Sequence, residues 1–107
     1  MYADLISRLE GEGSDIALSR DLWARVAGQN TADALRVCAH YEALLRSFDA
    51  CMEFQKTVLP DVGCLCFEFN DNSYGVYVEY KYAEHKEVCR AWLLAILEQI
   101  KPNNDTA

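Results

Sequence analysis

His85 and Cys89 stand four residues apart, a spacing that lets both face one ion from a single helical turn. Cys64 and Cys66 alternate on one face of a predicted strand and would add two thiolates. Three cysteines and one histidine suit tetrahedral zinc. The C-x-C spacing is tighter than the usual zinc knuckle, however, and no glycine-rich turn accompanies it. Buried thiols beside an exposed histidine at a helix start are the simpler expectation, so no cofactor is expected. Nucleophilic chemistry would draw on the five cysteines with His40 and His85 as bases. No strained turn of the G-x-S-x-G kind presents a nucleophile, and the five glycines form no phosphate loop. Glu68 and Glu79 fall on neighbouring strands, where solvated edge positions explain them. The expectation is a protein without catalytic residues.

The aromatic residues pose a second question. Tyr74, Val76, Val78 and Tyr80 alternate along one stretch, as on a strand that buries one side. They are expected to pack inward against helices. Tyr77 points the other way and Tyr82 lies where the strand gives out, so these two rings are the candidates for partner contact. Base stacking would need basic neighbours, and only Lys81 is near.

Charge narrows the classes further. Seventeen acids against ten bases give a net charge of −7, shared between the two halves. Phosphate would be repelled, which argues against direct nucleic-acid binding. A basic partner protein is compatible with this balance, and Glu10, Glu12, Asp15, Asp21 and Asp33 are the acids expected to face it. Odd cysteine number and the lack of a C-x-x-C pair argue against a disulfide framework. The longest apolar run, "AWLLAIL", falls well short of the roughly 18 to 20 residues that a membrane helix needs. The first residues carry no basic leader. A soluble protein of the cytoplasm is expected, with no membrane partner.

These residues need elements to hold them, and 107 residues suit a single domain. Leu5, Ile6 and Leu9 predict a helix over 3–10, stopped at Gly11. Ser14 is a candidate cap for a helix over 15–27, striped by Leu18, Leu22 and Val26. Leu35, Cys38 and Leu45 predict a helix over 31–46. Ser47 caps a further one over 48–59, which Pro60 and Gly63 end. The period then drops to two. "CLCFEFNDNSYGVYVEYKY" predicts strands over 64–70 and 74–82, joined by an Asn/Asp turn into an antiparallel hairpin. Val88, Trp92, Ile96 and Ile100 stripe a last helix over 84–101, and 102–107 form a frayed tail. The class is α+β: a helical first half, a hairpin, and an amphipathic helix packed on the sheet. Two strands alone are marginal in water. A third strand, or pairing with another subunit's edge as a homodimer or self-assembling structural factor, would complete the sheet.

Two stretches resemble a known family. "LISRLEGEGSDIALSRDLWARVAG" is similar to the opening of small tailed-phage and prophage proteins. "SFDACMEFQKTVLP", the strands and "HKEVCRAWLLAIL" are similar to their closing half, with Ser47, Leu59-Pro60 and Cys89-Arg90-Ala91 in the matching places. The chain resembles the phage ABA sandwich type of domain over about 70 residues. Where those proteins carry a loop rich in tryptophan and proline, this one has "NTADALRVCAHYEALLR". The resemblance implies a non-catalytic phage accessory protein of the bacterial cytoplasm. Its expected role is binding a host protein, such as a basic nuclease or defence complex, in the manner of an anti-CRISPR inhibitor.

Overall fold

The computed structural model describes residues 2–13, 15–28, 43–62 and 65–100. In chain order they form helices α1 (Ala3–Leu9), α2 (Ile16–Arg25) and α3 (Phe48–Val58), strands β1 (Leu65–Asn70), β2 (Ser73–Val78) and β3 (Lys81–His85), and helix α4 (Val88–Ile100). This is the expected α+β order, with the last helix packed on the sheet.

Local chemistry sets the helix ends. α2 starts where the Asp15 carboxylate accepts a hydrogen bond from the Leu18 amide at 2.9 Å. The cap is therefore Asp15, one residue past the expected Ser14, which lies outside the described residues. Ser47 does cap α3, its hydroxyl accepting from the Ala50 amide at 3.3 Å. Its extended backbone (φ −135°, ψ 124°) separates α3 from the turn at 43–46. The rest of the helix expected over 31–46 lies outside the described residues, as does the tail at 102–107.

The sheet has three strands where the sequence suggested two. Its order is β1-β2-β3, antiparallel throughout. The run expected to be one strand over 74–82 folds back at Glu79 and Tyr80, with Glu79 in the left-handed region at φ 55°. β3 then takes residues 81–85, so α4 begins at Val88 and not at 84. Tyr80 becomes a turn residue, 92% exposed, and Tyr74 is more than a third exposed. Only Val76 and Val78 of the expected inward stripe are fully buried. The reason is local: "Glu-Tyr" carries none of the usual turn residues, while valine-to-tyrosine alternation runs straight across it.

α4 forms the centre. Every residue from Cys89 to Leu97 is buried, as befits a helix enclosed on all sides. It lies across β2 and β3 and touches α1 and α3. Trp92 donates to the buried Gln55 Oε1 at 2.7 Å, and Trp23 meets Phe54 edge-on at 5.1 Å. Each indole or phenyl ring buried in this way contributes on the order of 2 to 3 kcal/mol of apolar transfer.

Candidate protein-docking surface

Register divides the sheet into two faces. Leu65, Phe67 and Phe69 pair with Val78, Val76 and Tyr74, and these with Lys81, Ala83 and His85. That set faces α4. Cys66, Glu68, Asn70, Ser73, Gly75, Tyr77, Tyr82 and Glu84 share the open face.

α4 covers β2 and β3, and β1 projects past it. The α4-side residues of β1 consequently stay in reach of water. Phe69 is 64% exposed and Phe67 41%. Phe48, at the start of α3, fills part of the gap. It stacks on Phe67 at 5.7 Å with an interplanar angle of 12°, yet remains 54% exposed. Trp92 closes the cluster from below, edge-on to Phe67 at 5.1 Å and to Phe48 at 5.9 Å. Phe69 leans on Tyr74 at 5.0 Å, and Met52, one turn along α3 from Phe48, is also exposed. Phe48, Phe67, Phe69 and Tyr74 thus form an exposed aromatic shelf beside the buried Trp92, with Met52 exposed one turn along α3. Exposed aromatic groups at this density mark interaction surfaces more often than solvent boundaries.

The open face is polar and wired across all three strands. Tyr82 donates to Glu84 Oε2 at 2.6 Å, Ser73 donates to Glu84 Oε1 at 2.8 Å, and Asn70 donates to Glu68 Oε1 at 3.0 Å and to the Tyr82 hydroxyl at 3.4 Å. Tyr77 and Tyr82, the two rings expected to meet a partner, lie here together with centroids 4.6 Å apart. Gly75 makes room for them: a methyl group at that position would overlap the Tyr82 ring and hydroxyl. The hydrogen bond to Glu84 pushes the Tyr82 phenol above its ordinary value. The same bond, with Ser73 behind it, holds the Glu84 carboxyl below its own.

The acids expected to face a partner have varied settings. Asp21 pairs with Arg8 at 2.7 Å and Glu12 with Lys86 at 2.8 Å. Asp15 caps α2, Glu10 is exposed at the end of α1, and Asp33 lies outside the described residues. Near the aromatic shelf, Asp49 and Glu53 are exposed along α3 and Asp71 in the turn after β1, while Glu68 is exposed on the opposite face of the sheet.

The four candidate metal ligands are not brought together. Cys66 is exposed on the open face of β1, whereas His85 belongs to the α4-side face of β3, two strands away. Cys89 is buried in the core, and Cys64 is outside the described residues. No three His, Cys, Asp or Glu side chains among the described residues come close enough to hold a metal. Instead Cys89 meets Cys51 of α3. A hydrogen bond shared with Cys89, together with burial, pushes the Cys51 thiol up. Cys51 also donates to the Leu44 carbonyl at 3.1 Å.

His85 is half-buried at the end of β3, not exposed at a helix start. Its Nδ1 accepts from the Glu87 amide at 2.9 Å and its Nε2 donates to the Gly11 carbonyl at 2.7 Å. Both bonds together require the neutral ring with the proton on Nε2. Arg90, which is 1% exposed, does related work in the same place. Nη1 donates to the carbonyls of Arg8 and Leu9 at 2.9 and 3.1 Å, and Nη2 to that of Gly13 at 2.6 Å. A buried guanidinium thereby satisfies the last carbonyls of α1, which a helix end always leaves open. Arg90 and the exposed phenylalanines were not among the site residues expected from the sequence. The arginine's signal was a lone charge inside the most apolar helix, between Cys89 and Ala91.

No helix among the described residues is long and apolar enough to cross a membrane. Compared with protein-family models, with curated proteins and with solved structures, the chain matches none of them.

Proposed function

We propose that this is a small, acidic, non-enzymatic protein that acts by binding another protein, and that the aromatic shelf at β1 is where it does so. The observation that carries the reading is the stacked, solvent-exposed pair Phe48–Phe67, continued by Phe69 and Met52 and fixed from beneath by Trp92. Rigid aromatic anchors ringed by charge are what protein interfaces use for affinity and register. Acidic surroundings favour a basic partner, with complementary potential raising the association rate. The resemblance to phage ABA sandwich proteins suggests the setting: a phage-encoded accessory protein in the bacterial cytoplasm, inhibiting a host nuclease or defence complex as anti-CRISPR proteins do.

The test is comparative capture. Tagged wild-type protein, a Phe48→Ser/Phe69→Ser variant, and a variant with Glu10, Glu12, Asp15, Asp21 and Asp33 neutralised are used against one bacterial lysate. A protein retained by the wild type and the acid variant but released by the aromatic variant supports the shelf. Equal retention by the aromatic variant refutes it. Retention lost only from the acid variant would move the binding surface to the first helices.

A further inference from the structure

A strand at the edge of a sheet offers unpaired peptide groups on its outer side, and most proteins guard such an edge. Which groups β1 offers follows from its pairing. The two-residue turns at Asp71-Asn72 and Glu79-Tyr80 are closed by the pairs Asn70–Ser73 and Val78–Lys81. Closing pairs exchange hydrogen bonds, and bonded and non-bonded pairs alternate from there. Ser73, Gly75 and Tyr77 of β2 therefore bond to β1, and Tyr74, Val76 and Val78 to β3. On β1 the partners are Cys66, Glu68 and Asn70, so the N–H and C=O groups of Leu65, Phe67 and Phe69 point away from the sheet. Their side chains are the very ones that face the shelf.

Of the usual guards this edge carries a single charge, Glu68, on the open face. β1 has no lysine, no proline and no break in register, and among the described residues β2 is the one element extensively paired with it. β3, the opposite edge, opens with Lys81, and its far end is tied to the loop after α1 through His85.

We propose, building on the protein-binding reading above, that β1 takes up an extended segment of the partner as a fourth strand, and that this segment alternates apolar with basic residues. Three ladder positions, at Leu65, Phe67 and Phe69, supply main-chain hydrogen bonds. Alternate side chains of the added strand descend onto Phe48, which stacks on Phe67 on the α4 side of β1. The intervening side chains emerge on the open face opposite Cys66 and Glu68. Charge selects the occupant. On the open face the intervening side chains emerge beside Glu68, with Asp71 exposed in the turn that ends β1. On the shelf side Asp49 follows Phe48 and Glu53 follows Met52 along α3. A basic strand is drawn to these acids. A second copy, carrying the same acids and the same net charge of −7, is the poorer fit.

The probe is a blocked eight-residue peptide alternating valine with arginine. Two controls accompany it: one with glutamate for arginine, and one N-methylated on alternate amides so that one edge cannot donate. Amide hydrogen exchange and calorimetry are read on the unmodified protein. At saturation the amides of Leu65, Phe67 and Phe69 slow at least tenfold, and both controls bind at least tenfold more weakly. Equal binding of the N-methylated peptide, or no slowing at those three amides, overturns strand addition. So does slowing of the same amides by the protein alone as its concentration rises, which would make a second copy the occupant. If the peptide fails while the aromatic variant still loses its captured protein, strand addition falls and the shelf stands; if capture survives in that variant, the shelf itself falls.

Discussion

Arg90 illustrates how one buried charge can hold a loop. Of its three carbonyl partners, Arg8 also accepts from the Gly11 amide at 3.2 Å, so a residue without donors at this position would cost chiefly the bonds to Leu9 and Gly13. We expect Arg90→Met to cost about 3 kcal/mol, measured by urea unfolding, with Arg90→Lys recovering only part because one ammonium cannot reach all three. Gly75 is a second such position. Its backbone is unstrained, so the need for glycine is purely the space taken by Tyr82. Gly75→Ala should lift that ring off the sheet, break its bond to Glu84 and bring the phenol back down toward its ordinary value, as a 295 nm titration would show. An unchanged titration would mean that the ring had not moved. Thiol chemistry offers a third check. Cys66 is exposed whereas Cys51 and Cys89 are buried against each other. Peptide mapping after a short maleimide pulse should find Cys66 labelled at least a hundredfold faster than Cys51, since a thiol buried in the core must first be uncovered.

Among the elements, the first two helices are joined on the outside by ion pairs. Arg25 sits on Asp4 at 2.5 and 3.1 Å and holds that carboxyl below its usual range, and Lys86 does the same for Glu12. A carboxyl with a depressed folded value releases its proton more readily when folded than when unfolded. Its contribution is therefore present above the unfolded values, 3.8 for Asp4 and 4.5 for Glu12 and Glu84, and is lost as pH falls through the lower folded ones. Melting temperature should be flat from pH 7 to about pH 5 and then decline. Asp4→Asn should lower it by only about a degree or two at pH 7, because solvent screens such pairs, and by nothing at pH 2. A larger effect at pH 2 than at pH 7 would reverse the assigned sign.

The same scale shows what the sequence made legible. Helix punctuation was plain: Ser47 capped where a serine should, and the Leu18–Leu22 stripe was buried as its spacing required. The Asn-Asp turn was equally plain, with Asp71 taking the left-handed conformation at φ 47°. The second turn was hidden, since Glu79 and Tyr80 carry no turn chemistry and the alternation of Val78 and Tyr80 masked it. That single fold-back exposed Tyr80, created β3 and shortened α4. The shelf was hidden for a different reason. The period of two in "CLCFEFN" puts Phe67 and Phe69 on one face, but how far α4 extends across that face is a property of tertiary packing. A one-sequence reading had to assume full cover.

For the whole molecule, the division of labour is between a core centred on α4 and an aromatic margin that the core does not use. Trp92 belongs to both. Trp92→Ala should cost about 3 to 5 kcal/mol and loosen the shelf above it. Phe48→Ser/Phe69→Ser, by contrast, removes side chains that are mostly in water, and should change unfolding free energy by less than about 1 kcal/mol. Separate loss of stability and of binding in these two variants would match the account. A large loss of stability in the phenylalanine variant would mean that the margin belongs to the core after all.

Hydrogen exchange of β1 in the complex with a captured partner tests the central claim most directly. The partner should slow the amides of Leu65, Phe67 and Phe69 and leave those of α1 and α2 as they were. Slowing centred on the first two helices, with β1 still exchanging freely, would contradict it.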